Sequence, residues 1–87
     1  MDQMNEIPAP EQRLQLWREG FSSAQLEPGP EVDLLRIAND YELSGGAIIN
    51  VLRYVALMTL RHDRRTISLP DIREGIRRER RKDGIAD

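Results

Sequence analysis

The stretch Tyr41–Arg53 reads YELSGGAIINVLR and sets two adjacent glycines at the mouth of a long apolar run. Glycine weakens a helix by about 1 kcal/mol relative to alanine, so a pair in the first turn calls for a reason beyond local propensity. Ser44 is a good N-cap, and from Gly45 the pattern is helical to about Arg61. Ile48, Val51, Leu52, Val55 and Met58 line one side, while Ile49, Ala56 and Leu60 line a second. Apolar residues cover most of the circumference, which makes this the central element of its domain. The strip left over holds Asn50, Arg53, Tyr54 and Arg61, interrupted by Leu57.

Upstream, Pro8 and Pro10 form a rigid lead into a helix over about 10–19, with Leu14, Trp17 and Phe21 at spacings of three and four and Gly20 as a stop signal. Pro28, Gly29 and Pro30 make the next segment a loop. Leu34, Ile37, Ala38 and Tyr41 then mark an amphipathic helix over about 31–41.

Downstream, HDRRT is a turn and Ile67 starts a short extended link. Ser68 can cap a last helix over 69–82, with Asp71 at its third position and Ile67 and Ile72 placed as a hydrophobic staple. Leu69, Ile72 and Ile76 give this helix an apolar stripe for two turns, and RRERRK at 77–82 follows with none, which reads as solvated or reserved for a partner. No strand is long enough to build a sheet. The expectation is all-α: one four-helix domain over 8–82, a flexible lead over 1–7 and a tail over 83–87.

With 87 residues there is room for a single domain and a thin core. A chain 39% apolar and 32% charged is globular rather than disordered. The net charge of −2 hides a split: residues 1–42 carry three arginines against nine acids, −6, and residues 43–87 carry ten bases against six acids, +4. Such a split is what oppositely charged faces of one small domain produce, and an anion-binding half is the other reading. No cysteine and one histidine argue against a metal site. No signal peptide and no apolar run of membrane-spanning length are visible, so a cytoplasmic setting without a membrane partner is expected. There is no phosphate-binding Gly-x-x-x-x-Gly-Lys loop, no Gly-x-Ser-x-Gly elbow and no buried carboxylate pair, so the chain by itself should not be an enzyme.

At LSGGAIIN the sequence resembles the C-terminal helical lid subdomain of AAA+ ATPases, particularly members with a Ser-Gly-Ala-x-x-x-Asn signature. Ser44, Gly45 and Asn50 match it, and Gly46 stands in for the alanine. IPAPEQRLQLW is similar to the segment leading into the family's first lid helix, EVDLLRIANDYELSGG to its second helix and turn, and RTISLPDIREGI to its final link and helix. The resemblance runs from about Ile7 to Arg78.

It implies a lid that contributes one wall of an ATP site, with Mg held by a large nucleotide-binding subdomain that this chain lacks. The site residues it implies are Ser44, Gly45, Gly46, Ala47 and Asn50 at the mouth of the central helix and Leu16 as an apolar contact to adenine. A small residue at Gly45 lets the backbone approach the purine, and helix N-terminal N–H groups left free would favour it. The histidine some members place a turn after Leu16 corresponds to Gly20, and the phosphate-sensing arginine of other branches to Ala47, so neither function is expected from this lid. Arg53 is an intersubunit candidate. Partners implied are the large subdomain, neighbouring subunits of a ring and a remodelled protein substrate, with ATP hydrolysis belonging to the longer parent. The alternative is a small protein- or DNA-interaction module of histone-fold-like type, which the long central helix and the arginine-rich end suggest; the net negative charge and the glutamates in the basic run argue against nucleic acid.

Overall fold

The computed structural model describes residues 6–82, so the 83–87 tail and most of the 1–7 lead lie outside the described residues. In chain order they form α1 (Pro10–Ser23), β1 (Glu27–Pro28), α2 (Leu34–Asp40), α3 (Gly45–Arg61), β2 (Thr66–Ile67) and α4 (Leu69–Lys82). This is a small all-α domain. Among the described residues the one extended feature is the parallel bridge Glu27–Thr66 and Pro28–Ile67, which ties the two long connections together.

Local capping chemistry sets the two C-terminal helices where expected. Ser44 Oγ accepts from the Ala47 N–H at 3.1 Å and Ser68 Oγ from the Asp71 N–H at 3.3 Å. Ile67 and Ile72 are both fully buried, as a staple across the α4 start requires. Around α3 are packed α1 on one side and α4 on the other, while α2 lies chiefly on α1. Trp17, Phe21, Ile37, Ile48, Val51, Val55, Ile72 and Ile76 are buried together, and Trp17 stacks on Phe21 with ring centroids 6.0 Å apart. Tyr41 and Tyr54 border this core half-buried.

Several expectations are corrected. Gly20 does not stop α1, which continues to Ser23. A β-carbon at Gly20 would lie 2.8 Å from Leu52 Cδ2, so the glycine marks the close approach of α1 to α3. The chain turns instead at Gln25, which takes a left-handed φ of 57°. The second helix starts at Leu34 rather than 31, because Asp33 caps it, accepting from the Arg36 N–H at 3.3 Å. Leu60 is 60% exposed and belongs to no buried face. The end of α4 is not simply solvated: Glu79 is buried against α3, and Gly75 brings the two helices together. The lead is anchored at its described end, where the Glu6 carbonyl accepts from the Gly45 N–H at 3.3 Å.

Among the described residues two side-chain polar atoms, Trp17 Nε1 and Thr59 Oγ1, are buried without a hydrogen-bond partner. A buried, unsatisfied hydroxyl costs about 1–3 kcal/mol. Thr59→Val keeps the shape and removes that cost, so the variant is expected to gain about 1 kcal/mol, read as a higher urea midpoint at constant slope. An unchanged or lower midpoint would mean the hydroxyl is satisfied in solution.

Candidate functional site

The mouth of α3 and the outer face of α1 enclose an open groove of about 580 Å³. Its walls are Leu16 and Ile49, with Ile7 and Pro8 of the lead across from them; Gln12, Gln15 and Glu19 stand along α1. At one end lies the bare main chain of Gly45. An added β-carbon there would meet nothing within 4 Å among the described residues. Leu16 and Gly45, far apart in sequence, are therefore walls of one groove. Ile49 and Ile7 join them without having been singled out; Ile49 sits one turn after Gly45 on α3, the spacing that puts both on one face.

The environment decides what such a groove can hold. Its lining carries the carboxylates of Glu6 and Glu19 and no arginine or lysine, so it suits an uncharged, flat, apolar face and not a phosphate. The helix N-terminus does not offset this. Of the N–H groups expected to be free, that of Gly45 donates to the Glu6 carbonyl and that of Ala47 to Ser44 Oγ. Ala47 itself is buried, and Ser44 and Gly46 are half-buried beside it.

Asn50 and Arg53 go elsewhere. They line a smaller cleft of about 210 Å³ between α3 and α4, with Tyr54, Gly75, Arg78, Glu79 and Lys82. The Asn50 side-chain amide donates to Glu79 Oε1 at 3.2 Å, and Lys82 Nζ reaches Glu79 Oε2 at 2.9 Å. The Arg78 guanidinium lies 4.7 Å from the Tyr54 ring centroid. Much of the α4 charge is spent within the helix. Glu74 pairs with Arg77 and with Arg78, and the hydrogen bond from Arg77, reinforced by the nearby positive charges, holds its carboxyl below the usual range.

Arg13, which the sequence marked only as part of the IPAPEQRLQLW segment and gave no role, supports the groove from behind. It is 3% exposed; its Nε donates to the Ala38 carbonyl at 2.8 Å and its Nη1 to the Pro8 carbonyl at 2.7 Å. The signal was its place four residues before Trp17 and eight before Phe21, on the buried stripe of α1.

Among the described residues no group of three or more His, Asp or Glu side chains could hold a metal ion, and no helix is long and apolar enough to cross a membrane. No known family model matches the chain, and no curated protein matches it in sequence.

Proposed function

We propose that this chain is a helical lid of the AAA+ type, which lays the main chain at Gly45 and the side chains of Leu16 and Ile49 against the adenine of a nucleotide held mainly by another domain. The observation that carries this reading is the absence of an internal reason for Gly45. Gly20, Gly29 and Gly75 each face a neighbour that a β-carbon would crowd, and Gly45 faces none. It has no left-handed φ to justify it either. A position that tolerates a side chain yet lacks one fits an external flat surface that must come close.

The acidic, cation-free lining supports a division of labour in which this chain touches the base and the missing domain binds the phosphates and Mg. Ring contacts and remodelling of a protein substrate belong to the same proposal and would need the longer parent. A Walker loop encoded in frame, roughly 200 residues upstream on the usual domain scale, would support it.

The direct test is a titration of the labelled chain with ATP followed by backbone amide shifts. Because one wall of a site binds weakly, only millimolar nucleotide should act, and the shifting amides should be those of Leu16, Gly45, Gly46 and Ile49. Shifts confined to the α4 arginines would reject the groove. The companion substitution is Gly45→Ala. With open space for the methyl group and a better helix former in the first turn, stability should rise by about 0.5 kcal/mol in a thermal melt while the ATP-induced shifts shrink. A loss of stability instead would show that Gly45 serves the fold.

A further inference from the structure

Two exposed leucine faces remain, and they differ in charge. On α3, Leu57 is 57% and Leu60 60% exposed. Arg53 lies one turn before Leu57 and Arg61 one turn after it, so helical spacing sets all four side chains along one stripe about 12 Å long. Neither arginine holds a partner among the described residues. Residues 53–65 carry four arginines against one acid, +3, and one of the four, Arg64, is already paired with Asp71 at 3.2 Å. On α2, Leu35 is 54% exposed. Residues 31–42 around it carry four acids against one arginine, −3, and Glu31 and Glu42, both exposed, are also without an ion-pair partner among the described residues.

These two faces cannot cover each other within one molecule. α2 packs chiefly on α1, and α3 packs between α1 and α4, with no extensive α2–α3 contact. We propose that the basic leucine stripe of α3, Arg53–Leu57–Leu60–Arg61, docks on the acidic Leu35 face of α2 in a second copy of this chain. The occupant is a second copy because the chain itself presents the complement: local charge of opposite sign around an exposed leucine. The contact joins two different surfaces, so a bound pair still offers one free face of each kind, and association runs head to tail rather than closing as a symmetric dimer. This inference is independent of the nucleotide groove, which lies at the other end of α3.

Sedimentation equilibrium of the full chain tests it. At low ionic strength the weight-average mass should exceed twice the monomer by about 1 mM, because small patches associate weakly. In about 0.5 M salt, where charges are screened over a few ångströms, it should fall back towards the monomer. Two variants separate the faces: Leu57→Glu with Leu60→Glu, and Leu35→Lys. All three positions are exposed, so circular dichroism should show both folded. Each alone should remain monomeric, and an equimolar mixture should form a 1:1 dimer through the one pair of intact faces left. A wild-type chain that stays monomeric throughout, as it would if these faces served a different protein, overturns the proposal. So does association that survives either variant, or a mixture that does not pair.

Discussion

Arg13→Met is expected to cost about 3 kcal/mol of folding stability, which for a domain of this size lowers the melting temperature by about 15 °C. Arg13 holds two carbonyls of different origin. Ala38 lies among the last four residues of α2, where the helix offers no N–H to its carbonyl, and the arginine takes that place. Its positive charge also faces the negative end of the helix dipole. The second carbonyl, Pro8, belongs to the lead and to the wall of the candidate groove. Methionine fills similar space but leaves the buried Ala38 carbonyl and the part-buried Pro8 carbonyl unpaired, at about 1–3 kcal/mol each. Relief from burying a guanidinium offsets part of that. Arg13→Lys is the control. An ammonium cannot span both carbonyls with the geometry of a planar fork, so lysine should recover only part of the loss. Urea unfolding followed by Trp17 fluorescence gives the number, and a loss below about 1 kcal/mol would mean that the two bonds are replaced by water.

Why some of this was legible in the sequence and some was not follows from how local each cause is. Ser44 and Ser68 act on N–H groups three residues away, so the starts of α3 and α4 could be read without knowing the fold. The Asp33 cap is equally local, but the expected helix start follows the end of the Pro28–Pro30 loop and not the cap, which makes the helix three residues too long. Gly20 reads as a stop by propensity, and only the position of Leu52, 32 residues on, shows that it is a contact. The basic run of α4 reads as solvated because nothing in its spacing announces that Glu79 turns inwards to meet Asn50. The small residues at the mouth of α3 were legible as a motif, and of them Gly45 alone lines the candidate groove. Asn50 belongs to the same motif but points to a separate cleft, since five residues along a helix turn a side chain well away from its starting face.

The same substitution at another glycine should have the opposite sign. Gly75→Ala is expected to lose about 1 kcal/mol and Gly75→Leu about 3, whereas Gly45→Ala gains. A β-carbon at Gly75 would fall 2.9 Å from Val51 Cγ1 and 3.2 Å from Tyr54 Cδ2, with Val51 Cα itself at 3.6 Å. Val51 is fully buried and its branched side chain has few alternative rotamers, so it cannot yield as an exposed side-chain tip would. Alanine regains about 1 kcal/mol of helix propensity, which leaves the overpacking cost dominant but reduced. Leucine has to push α4 off α3. One turn further along, that motion opens the Asn50–Glu79 hydrogen bond and lifts Arg78 from Tyr54, so buried Glu79 loses its neutral partner as the helices separate. Thermal melts supply the stability change, and the Asn50 side-chain amide resonances should move towards solvent-exposed values in Gly75→Leu alone. If Gly75→Leu melts with the wild type and leaves Asn50 unmoved, the two helices do not meet at Gly75.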